Sequence, residues 1–355
     1  MIEPGQTIGI LGGGQLGRMT ALAASALGYR CHVYCPEKNS PAKQVTAYAT
    51  TAEYDNKLAL GRFAKSVDVI TFEFENVPGD TAEFLAERKP VRPGPNALRI
   101  AQDRLKEKDF LQSIGAATAP YCAVATEAEL RAGMSALGPR AILKTVRMGY
   151  DGKGQLRLQP ESDLGAAWRE FGTSPGILEG FVEFACELSV IVARGENGKL
   201  ATYAPVETQH TQGILDTTLT PSRVPGDIAM RAEAIARHVA EKLDLIGLVA
   251  VEMFVTHRGE VLVNEIAPRP HNSGHWTIDA CYTNQFEQLV RAICGLPLGS
   301  PERHSDAVMK NLIGAGIAKW RDALNDPMQK LHLYGKDEAL PGRKMGHVTK
   351  LSQRR

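Results

Sequence analysis

No apolar run in this chain reaches the roughly 20 residues that a helix needs to cross a bilayer, and no basic segment followed by an apolar one opens it. These absences predict a cytoplasmic globular protein. Long blocks of like charge are missing too. Lys and Arg total 41 against 40 Asp and Glu, for a net charge of +1, and basic residues cluster only at the closing Arg354-Arg355. A nucleic-acid surface or an anionic membrane would demand more. A small anionic substrate would not, because its site needs only a few local cations. The six cysteines (Cys31, Cys35, Cys122, Cys186, Cys281, Cys294) show no C-x-x-C spacing. Most stand in apolar contexts, which predicts buried free thiols rather than disulfides or zinc ligands. The chain has no internal repeat, no low-complexity segment and no G-x-x-x-x-G-K-[ST] phosphate loop.

What is present is an ordinary globular composition, 43% apolar and 23% charged over 355 residues, enough for two or three domains. An apolar strand at 7–11 runs into G-G-G-Q-L-G-R-M at 12–19 and then an alanine-rich helix. Gly12, Gly14 and Gly17 fit G-x-G-x-x-G on a strand-to-helix turn, where the helix N-terminus favours an anion. A dinucleotide site also expects an acidic residue at the end of the second strand. That strand, at 31–34, ends in Cys35-Pro36-Glu37, so only Glu37 qualifies, beyond a proline. The turn admits NAD, the phosphate of another ligand, or nothing bound. Residues 55–64 read as a helix capped by Asp55. A third strand at 67–72 finishes in T-F-E-F-E-N-V-P, placing Glu73 and Glu75 at the end that faces the ligand crevice of an open α/β sheet. Alternation would aim one inward and the other outward. R-P-G-P-N at 92–96 marks the first domain boundary.

A capped, charged helix at 103–114 contains Arg104, and T-E-A-E at 126–129 is a capping box. Lys144 lies on an apolar strand at 141–145, just before V-R-M-G-Y-D-G-K-G-Q at 146–155. Gly149, Gly152 and Gly154, with Lys153 at the tip, suit a flap that closes over phosphates. Lys144 can reach a phosphate as a point charge. Strands follow at 177–182 with Glu179, at 183–192 with Glu187 facing outward, and at 203–210 with His210 near the end. A long helix at 227–243 precedes two apolar runs, G-L-V-A-V-E-M-F-V and V-L-V-N-E-I-A, joined by the turn T-H-R-G-E. Glu252 and Glu265 are therefore predicted to face each other across an antiparallel pair, with Asn264 beside them. Two carboxylates and an amide oxygen suit a hard divalent cation that carries phosphate. Pro268 and Pro270 then disfavour a helix, and Arg269, His271, Asn272, Ser273 and His275 crowd the loop. A helix at 284–294 stops at Gly295. The tail reads as a small α/β unit ending in G-R-K-M-G-H-V at 342–348, where Arg343, Lys344 and His347 look like an anion clamp.

These motifs, in this order, resemble the ATP-grasp superfamily. More closely, the chain is similar to the N5-carboxyaminoimidazole ribonucleotide synthase family, the ATP-dependent carboxylases of purine biosynthesis. The resemblance rests on the stretches at 12–19, 71–78, 149–155, 264–277 and 343–348, and it spans the chain. The last two are the most specific, because related carboxylases and ligases keep the Asn-Glu pair but not the whole loop. Cys35-Pro36, where an acidic residue is common, is the visible departure and bears on NAD rather than ATP.

The resemblance implies an α/β protein, α+β in the lid. It divides into a Rossmann-like domain at 1–100, an ATP-grasp region at 101–295 with a mobile lid at 118–182, and a small α/β subdomain at 296–355 that completes the substrate site. It implies carboxylation of the exocyclic amine of 5-aminoimidazole ribonucleotide by ATP and bicarbonate through carboxyphosphate, with ADP and phosphate released, in a ligase that works as a homodimer. Arg104 and Lys144 would contact ATP phosphates under a flap of Gly149, Tyr150, Asp151, Gly152, Lys153, Gly154 and Gln155. Glu179, Gly180, Phe181 and Val182 would line the adenine, Glu187 would hold the ribose, and His210 and Asn264 would also reach the nucleotide. Glu252 and Glu265 would bind Mg2+. Gly14, Gln15, Leu16, Arg269, Ser273, Arg343 and Lys344 would hold the ribonucleotide, with Glu73 and Asn76 at its imidazole. Asp151, Arg269 and Lys344 would surround the bicarbonate-derived group. Three other readings stay open: a different ATP-grasp enzyme, such as a formate-using glycinamide ribonucleotide transformylase or a biotin carboxylase; an NAD-dependent dehydrogenase; and a non-catalytic nucleotide-binding regulator.

Overall fold

The computed structural model describes residues 1–149, 152–172 and 175–354. T-I-G-I-L forms β1 (Thr7–Leu11), buried at every position, as a central strand covered on both faces must be. With β2 (Arg30–Cys35), β3 (Tyr48–Thr51) and β4 (Val69–Phe72) it makes a parallel sheet in the order β3-β2-β1-β4. β3 is short, polar and mostly exposed, so no apolar run in the sequence announced it. The next helix spans Lys57–Lys65 and is capped by Asn56, which accepts from the Ala59 N–H at 3.0 Å. Asp55 lies one residue outside it. β4 ends at Phe72, so strand alternation does not govern Glu73 and Glu75. Both turn into the crevice.

The second sheet joins β5 (Tyr121–Val124), β6 (Ala141–Thr145), β7 (Gln155–Leu158) and β8 (Gly176–Gly180), antiparallel, in the order β5-β8-β6-β7. Helices Glu127–Leu137 and Leu164–Phe171 pack on it around Val124, Leu130, Leu143 and Leu178. Thr126 caps the first helix through the Glu129 N–H at 3.2 Å. Glu129 answers to the Ala125 N–H, one residue short of the reciprocal box.

The third sheet takes the rest of the chain: β9 (Phe184–Arg194), β10 (Leu200–Thr202), β11 (Val206–Thr211), β12 (Ile214–Thr220), β13 (Gly247–Thr256), β14 (Val261–Ala267), β15 (Ser305–Ile313), β16 (Gln329–Leu333) and β17 (Lys344–Gln353). Its order is β14-β13-β9-β11-β12-β15-β17-β16, with β10 on β9. Among the described residues, the tail from 296 therefore builds no sheet of its own. It extends this one from β12. The continuous apolar run of β13 follows from cover on both faces. Val249 and Val251 join one core with Ala232 and Ala236 of helix Gly226–Lys242. Leu248 and Ala250 join another with Leu289 and Ile293 of helix Gln285–Cys294, and that core also holds Ile8, Ile10 and Val33 of the first sheet. All six cysteines are free, and Cys31, Cys35, Cys281 and Cys294 are buried. Among the described residues, no helix is long and apolar enough to cross a membrane.

Candidate active site

β13 and β14 pair Glu252 with Glu265, and the next partners are Met253 and Val263. Asn264 is thus an extra residue in β14. A bulge of this kind re-aims side chains, and Asn264 and Glu265 both line one cavity, which plain alternation would forbid. Burial, then the facing charge of Glu265, pushes the Glu252 carboxyl up to about 7. The Asn264 Oδ1 is buried without a hydrogen-bond partner. Crowded carboxylates and an orphaned amide oxygen are a donor set that a hard divalent cation would satisfy. His271 stands beside them, its Nε2 3.2 Å from Glu252. Burial and the charges of Arg269 and Lys344 keep that ring well below its usual pKa.

Helix Arg104–Ser113 fixes β14 from outside. Arg104 lies 3.2 Å from Glu265, Glu107 accepts the Ile266 N–H at 2.6 Å, and Lys108 donates to the Asn264 C=O at 2.7 Å. Their i, i+3, i+4 spacing puts all three on one helix face. Burial and the nearby charge of Glu265 push Glu107 up to about 8. Arg104 is legible in the sequence but Glu107 and Lys108 are not, because K-E-K-D reads as a solvated stretch.

The lid brings Lys144 to Glu179 at 2.9 Å, with Lys108 3.7 Å from the same carboxylate. Burial raises Glu179, but Lys144 and Lys108 outweigh it and hold the carboxyl below its usual range. Gly149, Gly152, Lys153 and Gln155 line the cavity, as do Glu179, Gly180, Phe181 and Val182. Gly154 does not. Its φ is +70°, and a Cβ there would lie 2.7 Å from Thr145 Oγ1, so it serves the backbone turn. Tyr150 and Asp151 lie outside the described residues. Glu187 hydrogen-bonds His210, and both line the cavity. Burial lowers His210, while Glu187 and then Glu252 raise it above its usual value. Glu207, paired with Arg223 at 2.9 Å, is a further lining residue that no motif in the sequence marks.

Gly14, Gln15, Leu16, Glu73, Asn76, Arg269 and Lys344 also line the cavity. The amides of the glycine turn are already used. Glu73 accepts from the N–H of Gly14 and, at 2.7 Å, from that of Gly17. A Cβ on Gly14 would sit 2.7 Å from Glu73 Oε1. An internal carboxylate therefore takes the position that a dinucleotide pyrophosphate would need, and Glu73 both braces the turn and lines the cavity. Glu75 instead pairs with Arg269, Nη2 to Oε1 at 3.0 Å. Burial raises Glu75, and Arg269 outweighs it, leaving the carboxyl below its usual range.

Two of the expected substrate contacts, Ser273 and Arg343, lie off the cavity wall. Ser273 is wholly buried and bonds Ser189 at 2.7 Å and His271 at 2.8 Å, which locks the loop from behind and keeps it off the cavity wall. Arg343 donates to the Glu338 C=O at 3.1 Å and does not line the cavity. Of the three basic residues of that tail turn, Lys344 lines the cavity, and His347 is buried. Tyr334 lies 2.8 Å from its Nδ1, and its ring centroid is 4.8 Å from His275 and 4.6 Å from His332. Asp279, His332 and His347 place ligand-type atoms within 4.8 Å of one another. The two rings, however, lie 17° from parallel, so their lone pairs run side by side instead of converging, and His332 already bonds Asp279 at 2.8 Å. Packing explains that cluster better than a metal centre.

The cavity measures about 1400 Å3, beyond the roughly 300–1,000 Å3 of a pocket for one drug-sized ligand. A glycine flap and buried lysines at one side, an acidic pair on a bulged strand, and a basic loop at the other define an ATP-grasp enzyme. Family models agree in chain order: a ribonucleotide synthetase preATP-grasp domain at 5–102, an ATP-grasp domain at 109–286 and a phosphoribosylaminoimidazole carboxylase C-terminal domain at 307–355. The N5-carboxyaminoimidazole ribonucleotide synthase of Brucella melitensis is 49% identical, covering 99% of this chain and 98% of the relative. That of Bacillus subtilis is 45% identical, over 99% and 93%. A crystal structure of an N5-carboxyaminoimidazole ribonucleotide synthetase with ADP superposes with a TM-score of 0.96 at 42% identity, over 99% and 94% of the two chains. The Aspergillus clavatus enzyme in complex with ADP and 5-aminoimidazole ribonucleotide gives 0.93 at 33%, over 98% and 94%. This chain belongs to the N5-carboxyaminoimidazole ribonucleotide synthase family.

Proposed function

We propose that the chain uses ATP and bicarbonate to carboxylate the exocyclic amine of 5-aminoimidazole ribonucleotide. A bicarbonate oxygen bonds to the γ-phosphorus as the bond to ADP breaks. The amine nitrogen then bonds to the carbon of carboxyphosphate, directly or through carbon dioxide released beside it. Phosphate leaves with the bonding electrons, and the amine loses a proton. Phosphoryl transfer of this kind depends on positioning and charge neutralisation. Arg104 and Lys144 supply positive charge to the phosphates, while Gly149, Gly152 and Lys153 close over them. Glu187 and His210 take the ribose side. Glu252, Glu265 and Asn264 would hold Mg2+, which when bound neutralises phosphate charge. Arg269 and Lys344 hold the carboxyphosphate and ribonucleotide anions, and Glu75 keeps the Arg269 guanidinium in one orientation. Asp151 is assigned to that group by resemblance alone, and the homodimer likewise.

One observation carries the reading. Lys144 and the acidic pair share a single cavity with Arg269 and Lys344, so a nucleotide phosphate and a second anionic substrate fit side by side. The test is ADP release with Mg2+ and bicarbonate, with and without the ribonucleotide. Strong stimulation by the ribonucleotide, with bicarbonate label in an acid-labile product, is expected. Stimulation by glycinamide ribonucleotide and formate instead would assign another ATP-grasp reaction. Light scattering tests the dimer.

A further inference from the structure

Lys108 is wholly buried, and the mechanism above gives it no task. Its Nζ donates to the Asn264 C=O at 2.7 Å and lies 3.7 Å from Glu179 Oε2. Lys144 donates to that same oxygen at 2.9 Å. The other oxygen, Glu179 Oε1, is buried and without a partner. One carboxylate thus faces two ammonium groups from different bodies. Lys144 comes from β6 of the lid sheet, and Lys108 from a helix fixed to the bulged strand β14. Burial lowers the Lys108 pKa and the Glu179 charge opposes that, which ties the two groups electrostatically.

Lys144 faces a conflict. A nucleotide phosphate would compete with Glu179 for that one ammonium charge, and a buried carboxylate that loses its cation is strongly unfavourable. We propose that Lys108 is a positioning residue for the ATP phosphates: it remains on Glu179 when Lys144 turns to them. A shift of under an ångström would bring its Nζ from 3.7 Å to the roughly 2.7–2.9 Å of a charge-assisted bond. Its hold on the Asn264 carbonyl keeps β14, with Glu265, in register during the exchange. Arg104, Glu107, Glu179 and Lys144 are the charged groups around it. The inference rests on the proposed ATP site at Lys144.

The experiment compares ATP and AMP binding by calorimetry in the intact protein. AMP lacks the β- and γ-phosphates, so it reports general damage to the nucleotide pocket. Lys108→Gln keeps a donor for the Asn264 carbonyl and removes the charge. It is expected to weaken ATP about tenfold and to leave AMP within about twofold. Adding Glu179→Gln removes the group that retains Lys144, so the double variant should regain the ATP-to-AMP ratio of Glu179→Gln alone. Such coupling is what a double-mutant cycle isolates. Lys108→Arg, which keeps the charge, should preserve the wild-type ratio. Equal loss of ATP and AMP in Lys108→Gln, additive effects in the cycle, or a Lys108→Arg ratio as poor as that of Lys108→Gln would each overturn the proposal. Wild-type protein that binds AMP and ATP with equal affinity would instead overturn the underlying placement of phosphates at Lys144.

Discussion

Single carboxylates divide the work of this cavity, and their sequence contexts did not reveal how. Glu73 and Glu75 stand two residues apart in T-F-E-F-E, yet one is held by glycine amides and the other by Arg269. The turn glycines and Arg269 are far off in sequence, so nothing local distinguished the two acids. Glu73→Ala would leave the part-buried Gly14 amide and the buried Gly17 amide without their carboxylate. It is expected to lower stability by about 2–4 kcal/mol, read by denaturant unfolding. Glu73→Gln should lose nearly as much, because its NH2 would face an N–H donor. A loss under about 0.5 kcal/mol would mean that water replaces the carboxylate. Glu265 was legible from sequence because it ends an apolar run. Glu265→Gln preserves shape and removes the charge beside Glu252 and Arg104. Turnover is expected to fall at least about a hundredfold, the scale on which one transition-state charge contact is felt. Activity within about tenfold of wild type at saturating Mg2+ would remove Glu265 from the metal site.

At the scale of elements, the apolar runs that became β1, the later part of β9 and the first half of β13 were plain in the sequence, since burial on both faces leaves little choice of residue, and β14 showed through its alternation. The exposed β3 and the placement of the tail were not. β15 to β17 pair with one another and join the large sheet only through β15 on β12, and the sequence carries no local mark of that junction. The bulge at Asn264 was also invisible, because residue spacing shows alternation and not its interruption. The hairpin proposed as a flap was legible through its glycines, and Gly154 within it serves the backbone turn. Gly154→Ala places a methyl against Thr145 in a left-handed backbone, at a cost of about 1–2 kcal/mol. ATP affinity should drop about tenfold with ribonucleotide affinity unchanged, as measured by titration of each. Equal affinity for ATP in the variant would show that the flap does not close on phosphates. On β17, Lys344→Ala should weaken the ribonucleotide far more than ATP, and equal weakening would place Lys344 outside the substrate site.

Across the whole molecule, distant segments are tied together behind the cavity. Helix Gln285–Cys294 shares one core with the first sheet and the largest one. Gln285 accepts the His271 N–H at 2.9 Å and donates to the His271 C=O at 2.8 Å, and it lies 3.0 Å from His275 Nδ1. His275 in turn packs on His347 of β17, whose ring stacks on His332 of β16. The loop with Arg269 and the strand with Lys344 thus meet through buried imidazoles. Burial holds His347 well below its ordinary pKa, with the charges of His275 and His332 acting in the same direction. A depressed histidine favours the folded state only while the unfolded chain is also neutral. Its contribution is intact above the unfolded value of about 6.5 and is lost as the pH falls below it, because the unfolded chain then binds a proton that the folded one refuses. Glu107 and Glu252, held up at about 8 and about 7, change with pH in the opposite sense, so the total stability does not isolate the ring. The difference between wild type and His347→Asn does, since the carboxyls are common to both. That difference in unfolding free energy should be constant above about pH 7 and shrink by on the order of 1 kcal/mol per unit below about 6.5. A difference that stays flat to about pH 5.5 would mean that His347 takes up its proton in the folded protein, and that the imidazole stack joining the substrate loop to β17 opens readily to water.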